Sequence, residues 1–124
     1  MSGRILIVDD NPIDLKLACE LLKIRGFEVH GAQNAEEARR VLVDLTPDLI
    51  LTDIALPGMD GLALTRVLKA DERLKRVPVV ALTAFALRGD EERAAAAGCA
   101  AYITKPIDIA HFAERIAEIL QPSG

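Results

Sequence analysis

Aromatic side chains are scarce in this sequence, which has three phenylalanines, one tyrosine and no tryptophan. Proteins that bind single-stranded nucleic acid usually stack the bases on aromatic rings, so this mode of binding is disfavoured. Positive charge is not in excess either, because 15 lysines and arginines face 19 aspartates and glutamates, which gives a net charge of −4. Unspecific binding to nucleic-acid phosphates needs a surplus of positive charge. We therefore expect no nucleic-acid partner.

Cysteines and long apolar runs are also few. The two cysteines, Cys19 and Cys99, form no C-x-x-C motif and indicate no disulfide framework. No apolar run approaches the roughly 18 to 20 residues of a membrane-spanning helix. The run from Ile5 to Val8 is too short for a signal peptide. These absences predict a cytoplasmic protein with no membrane partner.

Apolar residues are nevertheless abundant, at 51% of the chain. This fraction argues against disorder and suffices for one ordinary hydrophobic core. A chain of 124 residues fits one domain and leaves no room for a second. We therefore expect residues 1–124 to form a single domain.

Short continuous apolar runs alternate with stretches of helical periodicity along the chain. Such runs are typical of strands that are buried on both faces, as in parallel sheets. Strict alternation of strands and helices predicts an α/β fold, in which helices cover both faces of a parallel sheet. The runs are Ile5 to Val8, Phe27 to Gly31, Leu49 to Leu51, Pro78 to Leu82 and Ala100 to Ile103.

Capping residues mark the expected helix boundaries. Asparagine or aspartate before a helical stretch can accept hydrogen bonds from its first free N–H groups, and glycine favours the turn after a helix. Gly26 and Gly98 are expected to end the first and fourth helices, and the last helix is expected to end near Pro122. Asp90, Glu91 and Glu92 would place negative charge in the first turns of the fourth helix. The other expected helix starts are Asn11 (with Pro12 and Asp14), Asn34 (with Glu37), Asp60 (with Gly61) and Asp108.

Polar side chains follow four of the five predicted strands. In open parallel sheets, ligands bind beyond the carboxyl ends of the strands, where these side chains should converge. Closely spaced carboxylates repel one another unless a cation lies among them, and oxygen ligands favour Mg²⁺, with Mn²⁺ as an alternative. An ammonium and a hydroxyl beside a metal form a site for phosphoryl oxygens, and an aspartate there can accept the phosphoryl group. The residues are Asp9, Asp10, Asp53, Thr83 and Lys105.

Each of these residues also has an ordinary structural explanation. The pair Asp9-Asp10 could cap the first helix, and Asp53 could be a loop residue. Thr83 could be a β-branched strand end, and Lys105 with Pro106 could form an ordinary turn. Their occurrence at the same end of neighbouring strands favours the functional explanation.

The sequence resembles the receiver domain of two-component response regulators, the CheY-like superfamily. Each matching segment is weakly specific alone, but together they follow one another in the family's order along the whole chain. The segments Thr83 to Ala86 and Gly89 to Glu92 also resemble single-domain cell-cycle regulators of the DivK type. The matching segments are Ile5 to Asn11, Pro47 to Ile54, Leu56 to Gly61, Pro78 to Ala84 and Gly98 to Pro106.

The resemblance implies a flavodoxin-like (βα)5 fold with strand order 2-1-3-4-5. It implies that Asp53 accepts a phosphoryl group from a phosphohistidine of a sensor histidine kinase or of a phosphotransfer protein. Asp10, Asp53 and the backbone carbonyl of Ala55 would bind Mg²⁺ directly, and Asp9 would hold it through water.

The resemblance also assigns the phosphoryl-binding and switching residues. Lys105 would pair with the phosphoryl oxygens, and the Lys105-Pro106 peptide bond would be cis. Thr83 would hydrogen-bond a phosphoryl oxygen and act as the switch together with Tyr102, which would turn inward. The alternative for Tyr102 is a packing residue on an edge strand with its hydroxyl in water. The helix 4, strand 5 and helix 5 surface would then contact a downstream protein. Ala55 and Phe85 occupy the two positions that tune phosphate lifetime and cannot orient water, so we expect slow self-dephosphorylation.

The first predicted helix carries two apolar stripes, and one of them is expected to be a docking surface. The first stripe would face the core, and the second would contact a kinase or phosphotransferase helix bundle; a crowded core that uses both stripes is the alternative. The core stripe is Ile13, Leu17, Ala18, Leu21 and Ile24, and the docking stripe is Leu15, Cys19 and Leu22.

Other functions stay open at this point. An aspartate-nucleophile phosphatase could use the same sheet, but that class needs an aspartate where this chain has Ala55. A flavin or nucleotide module is disfavoured because no G-x-G-x-x-G motif is present. The chain could also be the receiver of a larger regulator or hybrid kinase. We expect a monomer that is no enzyme beyond its own phosphoryl acceptance and hydrolysis.

Overall fold

The computed structural model describes residues 3–54, 56, 58, 60–83 and 90–120, with the side chains of residues 90 and 91 excepted. Strands and helices alternate strictly within these residues, as the apolar runs predicted. They are β1 (Arg4–Val8), α1 (Pro12–Ile24), β2 (Glu28–Ala32), α2 (Ala35–Asp44), β3 (Leu49–Asp53), α3 (Gly61–Lys69), β4 (Val79–Thr83), α4 (Asp90–Ala97), β5 (Ala101–Thr104) and α5 (Phe112–Leu120).

The five strands form one parallel sheet in the order β2-β1-β3-β4-β5. This order confirms the flavodoxin-like fold. The chain reverses its direction of winding between β1 and β3, which are direct neighbours. That reversal is the position where ligands bind in open α/β sheets, because the loops after the two strands diverge there.

Two hydrophobic clusters cover the two faces of the sheet. Successive side chains of a strand point to opposite faces, so β1 contributes Leu6 and Val8 to one cluster and Ile5 and Ile7 to the other. All four side chains are fully buried. Burial on both faces explains why the runs are continuously apolar rather than alternating.

Several expected helix ends are confirmed in detail. The side chain of Asn11 accepts hydrogen bonds from the backbone N–H groups of Ile13 and Asp14, at 2.9 and 3.2 Å. Asn34 and Asp60 cap α2 and α3 in the same way. Gly26 and Gly98, with φ of 94° and 108°, follow α1 and α4 in the left-handed conformation that glycine favours.

The start of the last helix differs from the prediction. Asp108 does not directly precede α5, which begins at Phe112. Its carboxylate instead accepts a hydrogen bond from the backbone N–H of Ala110, at 3.1 Å, and closes a turn ahead of the helix. An aspartate stabilises such a turn as readily as a helix start, so the sequence does not separate the two. The expected end near Pro122 lies outside the described residues.

The expected docking stripe on α1 is not a free surface, and the structure agrees with the alternative of a core that uses both stripes. Ala18 of the expected core stripe is buried, and Leu21 of that stripe packs against the same cluster as Ala18 and Leu22. Leu22, expected in the docking stripe, is fully buried, and Leu15 and Cys19 pack partly buried against the same core cluster. Ile13 and Ile24, expected in the core stripe, are 77% and 79% exposed. Both stripes are apolar, so hydropathy alone could not tell which residues of each stripe face the sheet.

Gly31 on β2 explains part of the observed orientation of α1. A Cβ atom at Gly31 would lie 3.3 Å from Cδ1 of Leu15. The absent side chain therefore leaves room for Leu15 to pack against the sheet.

Candidate functional site

The expected polar residues meet at the carboxyl edge of the sheet. Asp9 directly follows β1, while Asp53 and Thr83 are the last residues of β3 and β4. Lys105 directly follows β5. Because the strands are parallel and in register, their ends lie side by side and present these residues together.

Asp9, Asp10 and Asp53 form an acidic cluster. Each offers a carboxylate oxygen, and these oxygens lie within 4.8 Å of one another. Asp9 and Asp53 are buried, whereas Asp10 is exposed and faces solvent. Oxygen donors of this kind, with one side open to water, fit a hard divalent cation that keeps several waters. The cluster could therefore hold Mg²⁺.

The ammonium of Lys105 lies against this cluster and is largely buried. Its Nζ is 2.8 Å from a carboxylate oxygen of Asp9, 2.8 Å from one of Asp53 and 3.3 Å from one of Asp14. Burial by itself would lower the pKa of Lys105, but its hydrogen bonds to Asp53 and Asp9 outweigh burial and hold that pKa above the usual value. Lys105 is therefore a fixed positive charge beside Asp53.

Asp9 is the most deeply buried of the three carboxylates, with 1% of its surface exposed. Burial raises the pKa of Asp9, against the opposing effect of Lys105 and of a hydrogen bond from the backbone N–H of Asn11. The ionised form of Asp9 is thus costly without a further cation. This cost is the electrostatic reason why the cluster suits a divalent metal.

Thr83 and Lys105 are linked through the backbone. The N–H of Lys105 donates to the carbonyl of Thr83, at 2.7 Å, and the Thr83 side chain is buried at the end of β4. The peptide bond between Lys105 and Pro106 is cis. A hydroxyl and an ammonium therefore lie at the ends of neighbouring strands, beside the acidic cluster.

Tyr102 lies on β5 and is half-buried. It pairs with Ala81 of β4 and packs against the small cluster that includes Ala94 of α4. Ala55 and Phe85, which the resemblance assigns to metal binding and to phosphate lifetime, lie outside the described residues.

Comparison with known proteins agrees with this geometry. The model of the response regulator receiver domain matches residues 5–117. The chain belongs to this family. It is also 44% identical over 120 residues to the polar-differentiation response regulator DivK of Brucella anthropi, a match that covers 97% of this chain and 98% of that protein. The chain is accordingly a phosphorelay response regulator receiver.

Solved receiver structures share the fold closely. A receiver domain of a sensor histidine kinase from Pseudomonas aeruginosa, with a magnesium ion coordinated in its active site cleft, is 34% identical with a TM-score of 0.86. The match covers 97% of this chain and 98% of that chain. A response regulator from Chloroflexus aurantiacus is 29% identical, with a TM-score of 0.91 and coverage of 97% and 98%.

Two residues of this receiver site were not singled out from the sequence. Asp14 was expected only to favour the start of α1, yet it contacts Lys105. Gly61 was expected only to open α3, yet a Cβ atom there would lie 1.9 Å from the backbone oxygen of Asp53. Asp14 follows the capping residue Asn11 by three residues and so lies in the first turn of α1, directly after β1. This position near the end of β1 is the sequence signal that could have pointed to Asp14.

The close approach at Gly61 fixes the end of β3. The backbone N–H of Gly61 donates to the carbonyl of Ile54, at 2.8 Å, and joins the start of α3 to the residue after Asp53. Only a residue without a side chain permits this contact.

Among the described residues, no helix is long and apolar enough to cross a membrane.

Proposed function

We propose that Asp53 is the phosphoryl acceptor of this receiver. The observation that carries the proposal is the arrangement of the Lys105 ammonium 2.8 Å from the Asp53 carboxylate, next to Asp9 and Asp10. A carboxylate nucleophile, a fixed cation and a metal-ligating pair are the groups that phosphoryl transfer needs. The donor is the phosphohistidine of a sensor histidine kinase or of a phosphotransfer protein.

Phosphoryl transfer to Asp53 exchanges one bond for another. A carboxylate oxygen of Asp53 forms a bond to phosphorus while the bond between phosphorus and the donor imidazole nitrogen breaks. The imidazole leaves with the electron pair of that bond, and an acyl phosphate remains. Lys105 and Thr83 hold the phosphoryl oxygens in line with Asp53.

Asp10 and Asp53 are the residues that would hold Mg²⁺ directly, with Asp9 acting through water. The ion would neutralise charge on the transferring phosphoryl group. The carboxyl cluster supports this assignment because its oxygens are close together and partly open to solvent. Mn²⁺ has the same preference for oxygen ligands and would serve as a substitute.

Thr83 and Tyr102 form the proposed switch. Phosphorylation adds about −1.5 to −2 of charge at Asp53, which attracts the Thr83 hydroxyl. Tyr102 lies on the neighbouring strand and packs toward α4, so it can respond to a movement of Thr83. The surface of α4, β5 and α5 would then change and contact a downstream protein.

The wider assignment follows from the family and from the residues. We propose a cytoplasmic, monomeric receiver over residues 1–124 that signals by protein contacts and catalyses only its own phosphoryl acceptance and hydrolysis. The described strands all belong to one sheet, which supports a single domain. The negative net charge supports the absence of a nucleic-acid partner.

Phosphorylation by a small donor tests the proposal directly. With Mg²⁺ and acetyl phosphate, the wild-type chain should gain one phosphoryl group, measured as a shift in intact mass. Asp53→Asn should abolish the shift, whereas Asp48→Asn, a change of an exposed aspartate that precedes β3, should not. Modification that persists in Asp53→Asn would contradict the assignment, as would rapid turnover of phosphoesters by the wild type.

A further inference from the structure

Asp14 gives the Lys105 ammonium a third carboxylate partner. An ammonium has three N–H donors, so Asp9, Asp14 and Asp53 together can engage all of them. The three contacts are unequal. Asp14 is the most distant partner, at 3.3 Å against 2.8 Å for the other two. Its side chain is also the most exposed, at 37% against 1% for Asp9 and 9% for Asp53. Asp14 is therefore the weakest partner.

A phosphoryl group on Asp53 would compete for the same donors. It brings three acceptor oxygens and about −1.5 to −2 of charge. The Lys105 contact with Asp53 can pass to these oxygens, but a second contact with them needs a donor that Asp9 or Asp14 holds, and Asp14, the weaker of the two, is released first. Asp14 would then remain as an unpaired anion close to the phosphoryl group, and like charges at that distance repel.

We propose that Asp14 is a positioning residue that holds Lys105 toward α1 and opposes its transfer to the phosphoryl group. This inference rests on Asp53 being the acceptor. Asp14 favours a bound cation, because it adds negative charge to the site. The negative charge of Asp14 also disfavours a bound phosphoryl group, which is itself negative. In addition, Asp14 holds one N–H donor of Lys105 that the phosphoryl oxygens could otherwise use.

The proposal predicts opposite changes in two binding constants of Asp14→Asn. The first measurement is the affinity for Mg²⁺ alone, by isothermal titration calorimetry. The second is the affinity for beryllofluoride, a phosphoryl mimic, at saturating Mg²⁺. We expect the Mg²⁺ affinity to fall about two- to fivefold and the beryllofluoride affinity to rise about two- to fivefold, as the loss of one partly exposed charge allows. Asp14→Glu should behave like the wild type.

Glu37→Gln is the matched control. Glu37 occupies in α2 the position that Asp14 occupies in α1, three residues after the capping asparagine. Its neutralisation should leave both affinities unchanged. A purely structural role of Asp14 would move both affinities of Asp14→Asn downward or leave them unaltered, and either result overturns the inference. A wild-type chain that binds no beryllofluoride would instead overturn Asp53 as the acceptor, and the inference with it.

Discussion

The Lys105 ammonium lies 2.8 Å from the Asp53 carboxylate although the two residues are 52 positions apart in the chain. Four elements, α3, β4, α4 and β5, lie between them in sequence, and β4 lies between their strands in the sheet. The long lysine side chain therefore reaches across the end of β4. This contact joins two strands at the edge where the carboxylates gather, and it neutralises part of their charge.

Lys105→Met should destabilise the protein in the absence of Mg²⁺. The substitution leaves the buried Asp9 without its cation, which typically costs about 3 kcal/mol of unfolding free energy. The folded-state pKa of Lys105 is raised, so its contribution is complete below the unfolded pKa of about 10.4 and is lost only as the pH rises through the folded value. The difference in unfolding free energy between the wild type and Lys105→Met should thus be constant from about pH 7 to about pH 9, and urea unfolding measures it.

Lys75→Met is the control for this change. Lys75 pairs with Glu72 on the surface, and both side chains are exposed, at 43% and 89%. Such a pair contributes about 0.5 kcal/mol or less. A Lys105→Met variant as stable as Lys75→Met would show that the buried ion pairs contribute nothing.

Gly61→Ala should displace the strand end that carries Asp53. The added Cβ atom would lie 1.9 Å from the backbone oxygen of Asp53, so the start of α3 or the end of β3 has to move. We expect a loss of about 3 kcal/mol in stability and slower phosphorylation by acetyl phosphate. Gly31→Ala is the control, because its Cβ atom meets only the flexible end of Leu15. Equal rates and melting temperatures for the two variants would contradict the prediction.

The observed orientation of α1 predicts a large loss of stability when one apolar residue is shortened and almost none when another is. Leu22→Ala should lower stability by about 3 kcal/mol, because Leu22 is fully buried. Ile13→Ala should change stability by about 0.5 kcal/mol or less, because Ile13 is 77% exposed. Thermal unfolding measures both. A larger loss of stability in Ile13→Ala than in Leu22→Ala would contradict the observed burial of α1.

The fold was predictable because the sequence signals agree with one another. Continuous apolar runs specify buried parallel strands, and Asn11, Asn34 and Asp60 specify where helices begin. The strand order came only from the resemblance to receiver domains. The main polar groups of the site were predictable too, because each stands directly at the end of a strand.

The remaining features depend on packing, which periodicity does not encode. Both stripes of α1 are apolar and both contribute buried residues, so the pattern does not show that Ile13 and Ile24 are exposed while Ala18 and Leu22 are buried. The contact between Asp14 and Lys105 joins a helix start to a distant strand end, across 91 positions. No local pattern specifies such a pairing, so it became visible only in three dimensions.

Tyr102 is the only tyrosine, and the chain has no tryptophan, so tyrosine fluorescence reports on this one side chain. Beryllofluoride with Mg²⁺ should change that fluorescence if a phosphoryl mimic at Asp53 draws in Thr83 and moves Tyr102 against α4. Thr83→Ala lacks the hydroxyl that responds, so it should still bind the mimic but show a much smaller fluorescence change. Calorimetric titration measures the affinity of the wild type and of Thr83→Ala for beryllofluoride, so that their fluorescence is compared at saturation. Thr104→Ala, a change of the exposed residue that pairs with Thr83 at the end of β5, should keep the wild-type response. An unchanged signal in the wild type, or a full response in Thr83→Ala, would show that Tyr102 does not follow Thr83.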